Sequence, residues 1–201
     1  MFIKSPSIFK RIFPKLIWDI STDKKVIYLT FDDGPHPEVT PQVLELLDEF
    51  NALATFFCVG ENVKKHPDTY SLILSKGHRV GNHSYNHISG WKSDNKDYFA
   101  NIEKAGSLIK SELFRPPYGR ITPSQIKVLS KKYSIIMWSV LTYDFDSKIS
   151  KEQCLKNSIV KTKAGSIVVF HDSIKSEKNL LYALPMFLKH FSDKGFDFRV
   201  I

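Results

Sequence analysis

Cysteine is scarce: two in 201 residues, with no CxxC pair. A thiolate metal site or a disulfide framework is therefore not expected. Cys58 lies in the apolar run ATFFCVG (54–60) and reads as a small core residue. Long hydrophobic runs are missing as well. No stretch reaches the roughly 18 apolar residues that a membrane-spanning helix needs. Lysines and prolines interrupt MFIKSPSIFKRIFPKLIWDIS (1–21), so no cleavable signal peptide is read there. These absences leave a cytoplasmic protein, or one that touches a membrane peripherally through the basic and bulky apolar residues of 1–22. Pro14 breaks any continuous amphipathic helix in that segment. The other reading of it is an irregular lead-in packed over the domain. No repeat, low-complexity tract or interdomain linker is evident. Acidic residues are in deficit, 21 against 29 Lys and Arg, for a net charge of +8. Such charge attracts polyanions but says nothing of fold. No nucleic-acid-reading motif or arginine–aromatic cluster accompanies it in the sequence, so nucleic acid is not the expected partner.

What is present is a core-forming chain, 42% hydrophobic with 15 Phe. After a lead-in over 1–25, one domain is expected over 26–201. Its apolar runs 26–31, 54–60, 78–84, 134–140, 166–172 and 196–201 read as strands. Stretches 40–50, 68–76, 96–113, 122–132, 150–163 and 179–191 read as helices. Thr40-Pro41 and Thr122-Pro123 read as helix starts, the threonine capping and the proline at the first helical position. With a strand end at 114, about seven strands alternate with helices, which argues for parallel strands joined by crossovers. A (β/α) barrel shorter than the usual eight units and an open doubly wound sheet both fit. Either architecture gathers its chemistry at the carboxyl ends of the strands.

Polar residues do follow the apolar runs. Asp32-Asp33 follows the first. His83 and His87 sit in HSYNH (83–87), Arg115 in RPPYG (115–119), Asp144 after 134–140, and His171-Asp172 after 166–170. Two histidines at i and i+4 on a helical turn face one way and can share a metal ion. Alone that spacing is weak, since such pairs are common on surfaces and in cores. A carboxylate from a neighbouring strand end makes it a two-histidine, one-carboxylate set, suited to Zn²⁺ and also to Fe²⁺, Co²⁺ or Mn²⁺. A cation there would relieve the repulsion between Asp32 and Asp33, leaving one carboxylate as ligand and the other to accept a proton. Arg115 can hold a carboxylate bidentately. His171 can protonate a leaving amine, with Asp144 fixing its ring and raising its pKa. His36 is near enough in sequence to touch the site; His66, His78 and His190 read as structural or surface residues.

The order TFDDGP … HSYNH … RPPYG … WSVLTYDF … IVVFHD resembles the polysaccharide deacetylases with a NodB homology domain, carbohydrate esterase family 4, from about Val26 to Ile201. The resemblance implies a distorted (β/α) barrel with about seven parallel strands, of the NodB or glycoside hydrolase–deacetylase type. It implies Asp32 as catalytic base, Asp33, His83 and His87 as metal ligands, and Arg115 as the residue orienting the base. It further implies the Tyr118 backbone N–H as an oxyanion donor, His171 as general acid and Asp144 as its partner. Val169 would line the acetyl pocket. The fourth motif departs from the family's D-x-x-D-W: Leu141 replaces its first aspartate and Phe145 its tryptophan. Phe145 keeps an apolar wall without the indole donor. Altered substrate preference, not lost activity, is expected.

The implied enzyme is a metal-dependent N-deacetylase acting on a glycan of peptidoglycan or chitin type. Zn²⁺ is the first expectation for the metal, with Co²⁺ or Mn²⁺ as alternatives, and the chain is expected to be a monomer. The alternatives are an O-acetyl esterase on xylan-type glycans and a catalytically idle glycan- or polyanion-binding module.

Overall fold

A computed structural model describes residues 7–201, with side chains from Lys10 onward. The first six residues of the lead-in, and that part of the expected membrane contact, lie outside the described residues. In chain order the elements are α1 (Ser7–Ile12), β1 (Leu16–Ile17), β2 (Val26–Asp32), α2 (Val39–Glu49), β3 (Ala54–Cys58), α3 (Gly60–Lys65), α4 (Pro67–Ser75), β4 (Arg79–Asn82), α5 (Asn95–Leu108) and β5 (Leu113–Phe114). After a 3₁₀ turn at Pro117–Gly119 come α6 (Pro123–Leu129), β6 (Ser134–Ile136), β7 (Val140–Leu141), α7 (Lys151–Val160), β8 (Ile167–His171), α8 (Glu177–Ser192) and β9 (Asp197–Phe198).

The nine strands form one sheet in the order β1-β6-β5-β4-β3-β2-β8-β7, with β9 added to β2. All the strand pairings are parallel. The sheet curls into a barrel because residues 134–141 step across it. β6 pairs with β5 and β1, while β7, a few residues later, pairs with β8. The Met137 N–H donates to Ile17 O, and the Ser139 N–H to Ile167 O. One strand was expected over 134–140; it splits because its two ends serve opposite sides of the barrel.

The lead-in is also more structured than its sequence suggests. α1 ends before Pro14, as expected, but β1 then joins the sheet beside β6, and Asp19 bridges Ser166. Leu16 and Trp18 are buried. Residues 16–19 therefore belong to the barrel, although they precede the expected start at 26. α3 was not foreseen either. The second run, 54–60, leaves its strand at Cys58, and Gly60 opens a helix.

The strands read as near-continuous apolar runs because both faces are covered, as parallel sheets require. Phe31 on β2 stacks between Phe56 on β3 (4.9 Å) and Phe170 on β8 (6.2 Å). Outside them, α2 and α8 close the largest core cluster with Leu44, Leu47, Leu184 and Phe187, all fully buried. Each such side chain contributes roughly 1.5–3 kcal/mol on burial. Cys58 and Cys154 are free and buried. Among the described residues no helix is long and apolar enough to cross a membrane.

Candidate active site

Register brings the polar strand ends to one rim. Asp32 at the end of β2 lies opposite His171 on β8 and Phe57 on β3. Asn82 at the end of β4 lies opposite Cys58 and Phe114. The residues that follow, Asp33, His83 and Arg115, therefore leave the barrel at the same height.

Asp32 is 4% exposed and Arg115 fully buried, so neither charge survives there without a partner. Arg115 Nη1 donates to Asp32 Oδ1 at 2.6 Å and to Thr30 Oγ1 at 2.8 Å. Its Nη2 and Nε donate to the carbonyls of Met137 and Ile136, and the guanidinium lies 4.0 Å from the Phe57 ring centre. Four of the fork's five N–H groups are engaged, one of them on Asp32 Oδ1 in place of the bidentate pair expected, and this fixed guanidinium orients Asp32.

Asp33 turns away from its neighbour because its backbone is left-handed, φ 80°. Its Oδ1 sits 3.1 Å from His87 Nε2 and 3.7 Å from His83 Nε2. The histidines converge through a loop, not the helical turn expected from their spacing: Ser84 and His87 themselves have φ near 60°. His83 Nδ1 lies 2.8 Å from Arg115 O, and as donor to it leaves the Nε2 lone pair facing Asp33. Burial depresses the His83 pKa to about 4, partly opposed by Asp32, so the ring is neutral at pH 7. Burial would raise the Asp33 carboxyl, but His87 beside it and the His171 cation hold it well below the usual range. The donor atoms of the three residues lie within 4.8 Å of one another. Asp33 Oδ1 is buried and accepts no hydrogen bond of ordinary geometry, although His87 is close. An orphaned carboxylate oxygen beside two imidazole nitrogens fits a divalent cation.

His171 faces this group from β8. Its Nδ1 lies 2.8 Å from Asp144 Oδ1, and its backbone N–H donates to Asp144 Oδ2 at 2.7 Å. Burial disfavours the imidazolium, but Asp144 outweighs it and the His171 pKa rises to about 9. At pH 7 the ring therefore carries a proton. The Phe145 ring stands edge-on to it at 4.8 Å.

A cavity of about 650 Å³ joins these groups. Asp32, Asp33, His83, His87 and His171 line it with Tyr118, Phe145 and Val169. That volume suits a small substrate group with the sugar that carries it. Of the residues predicted from sequence, Arg115 and Asp144 stand behind the wall, each holding a residue that lines it. The turn's bonds, Gly119 N–H to Pro116 O and Arg120 N–H to Pro117 O, leave the Tyr118 N–H outside the ladder. Tyr118 has φ 60° and a ring 4.5 Å from His87.

Other expectations fall differently. His36 does not line the cavity; its Nδ1 accepts the backbone N–H of Glu38 and of Val39. Thr40 does not cap α2, whose N-cap is Glu38. Its hydroxyl donates instead to Asp172 Oδ2 at 2.6 Å, while the Gly34 N–H donates to Asp172 Oδ1. Asp172, fully buried, thus ties the loop after Asp33 to α2, and Asn62 Nδ2 donates to Asp33 O. Trp138, Tyr143, Arg120 and Lys175 also line the cavity without having been singled out, and Leu141, noted as a departure from the fourth motif, lines it too. Apart from the residue type, no sequence signal marks them. Thr122, by contrast, caps α6 in a capping box with Gln125, as expected.

Fold and site define a class: an α/β-barrel hydrolase whose rim sets a buried carboxylate and a protonated imidazole around a carboxylate–histidine cluster. A family model described as polysaccharide deacetylase matches residues 19–133. The chain is 33% identical to a peptidoglycan-N-acetylglucosamine deacetylase of Bacillus cereus, over 92% of this chain and 90% of that one. It is 30% identical to a chitooligosaccharide deacetylase of Azorhizobium caulinodans, over 81% of each. A solved peptidoglycan N-acetylglucosamine deacetylase, in complex with 4-naphthalen-1-yl-N-oxidanyl-benzamide, superposes with a TM-score of 0.89 and 29% identity, over 98% of this chain and 95% of that one. The chain belongs to the polysaccharide deacetylase family, whose members are generally metal-dependent hydrolases of glycan acetyl groups.

Proposed function

We propose that this protein hydrolyses the acetamide of N-acetylated sugars in a glycan of peptidoglycan or chitin type, releasing acetate and a free amine. The observation that carries the reading is the register of Asp32 and His171 on adjacent strands, with Asp33, His83 and His87 grouped beside them. Asp33, His83 and His87 would hold a divalent cation, Zn²⁺ in preference to Co²⁺ or Mn²⁺. When bound, that ion supplies Lewis-acid polarisation and a lowered water pKa, toward ~7. Asp32 takes the proton of the attacking water, its lone pairs kept in place by Arg115. The Tyr118 N–H meets the oxygen on which charge develops. His171, protonated at neutral pH, gives its proton to the departing sugar nitrogen, and Asp144 stabilises the ring before that transfer. Val169 offers the acetyl methyl an apolar wall.

Acetate release from N-acetylglucosamine oligomers, peptidoglycan fragments and acetylated xylan tests the reading, before and after chelation and with each metal restored. Chelator-sensitive release from the N-acetylated glycans supports it. Chelator-insensitive release, or release from acetylated xylan alone, contradicts it.

A further inference from the structure

Trp91 is the most exposed large hydrophobic residue among the described residues, at 65%. Packing does not account for it, since a ring of this size is normally covered. Nor is it loose. Its Nε1–H donates to Ile121 O at 3.2 Å. The preceding Gly90 donates its N–H to Arg120 O, and Gln125 Nε2 donates to Gly90 O at 2.9 Å. A Cβ on Gly90 would lie 2.5 Å from Gln125 Oε1 and 2.7 Å from Arg120 O, so glycine is what lets the two loops close on each other. The ring is held in place and still presented to solvent.

It is also continuous with the active site. The Arg120 guanidinium carbon lies 5.5 Å from the Trp91 ring centre and 5.7 Å from that of Tyr118. Tyr118, 60% exposed, reaches His87 at 4.5 Å. A ledge of ring, cation and ring thus leads outward from the candidate metal group. The sequence hides it, because Trp91 and Arg120 stand far apart in the chain. Arg120 is exposed, lines the cavity and forms no ion pair among the described residues. A guanidinium that lies over rings keeps N–H groups at its edge for an anion.

We propose that Trp91, Arg120 and Tyr118 form a subsite for the sugar next to the one being deacetylated, with Trp91 stacking on that ring and Arg120 binding a carboxylate it carries. The inference rests on the deacetylase reading and narrows its substrate to an anionic glycan whose neighbouring sugar bears a carboxylate. Rigid aromatic anchors of this kind recognise ligands at low entropic cost.

The test is steady-state acetate release from three oligosaccharides of equal length. One alternates N-acetylglucosamine with a carboxylate-bearing sugar, one is its carboxyl-amidated form, and one is a neutral N-acetylglucosamine oligomer. Wild type should show a KM roughly tenfold lower for the carboxylate form than for the amidated form, the size of one charge-assisted hydrogen bond. That preference should shrink as salt is raised. Arg120→Gln should abolish the preference. Trp91→Ala should raise KM on all three substrates roughly tenfold with kcat nearly constant, the loss of uniform binding, and Trp91→Phe should restore most of it. KM values within twofold of wild type for both Trp91→Ala and Arg120→Gln overturn the subsite. A wild-type preference for the neutral or amidated oligomer overturns its carboxylate specificity. No acetate from any of the three by wild type overturns the deacetylase reading and the subsite together; activity with unresponsive variants overturns the subsite alone.

Discussion

Asp144→Asn removes the charge that holds a proton on His171. With Asp144 present, the His171 pKa is raised from 6.5 to about 9. Without it, burial is opposed only by Asp33 and Asp32, and the pKa is taken to fall back to its ordinary value. The difference of about 2.5 in pKa corresponds to about 3 kcal/mol. At pH 8 the protonated fraction falls from about 0.9 to about 0.03, a loss of roughly thirtyfold in an acid-dependent step. At pH 6 the same arithmetic gives less than a twofold loss. The amide oxygen of the substituted side chain can still accept from Nδ1–H, so ring orientation is largely kept. The assay is kcat/KM for acetate release from pH 5.5 to 9.5, as the ratio of variant to wild type. The ratio should decline steeply between pH 6.5 and 9. Stability should follow the same window. The folded pKa is raised, so the stabilisation is complete below about 6.5 and lost as pH rises through about 9. A melting-temperature difference that fades from pH 6 to 9.5 agrees with this. A ratio flat across the whole range refutes the coupling of Asp144 to His171 as the acid.

Further outcomes are expected. Arg115→Ala leaves Asp32 buried without its cation and should destabilise the fold by about 3–5 kcal/mol, read from chemical denaturation. Thr40→Val removes a hydroxyl donor to the buried Asp172 and should cost about 1–3 kcal/mol by the same measurement. Gly34→Ala puts a Cβ 2.0 Å from Asp172 Oδ2, on the loop next to Asp33. It should cost about 1–3 kcal/mol and weaken metal binding in a chelator-competition titration. His83→Gln removes one of two imidazole donors and should lower metal affinity more than it lowers the melting temperature of the metal-free protein.

The barrel was legible because parallel strands buried on both faces are apolar from end to end, so each polar residue after such a run marks the rim. Asp32, His83, Arg115 and His171 were found that way, and all four face or support one cavity. Less legible was anything set by backbone conformation. Asp33, His87, Tyr118 and Tyr143 line the cavity with φ between 58° and 80°, a region non-glycine residues enter at a cost of order 1–3 kcal/mol. No propensity announces this, and it is why the histidine pair converges without a helix. Tertiary demand overrode local signal elsewhere. Thr40 looks like an N-cap but serves Asp172, and 134–140 looks like one strand but closes the barrel as two. β1 is two residues long, too short for any periodicity to show. Long-range pairs such as Trp91 with Arg120 leave no trace in a linear pattern.

Under the proposed mechanism, adjacent carboxylates divide the work, Asp33 holding the cation and Asp32 moving the proton. The most direct measurement is metal content together with acetate release for Asp32→Asn and Asp33→Asn, each purified in the same way. Under that division Asp32→Asn retains one equivalent of metal per chain while turnover falls by roughly 10²–10⁴. Under it Asp33→Asn loses metal and activity together. An Asp32→Asn protein with wild-type turnover, or an Asp33→Asn protein that keeps its full metal complement, would contradict it.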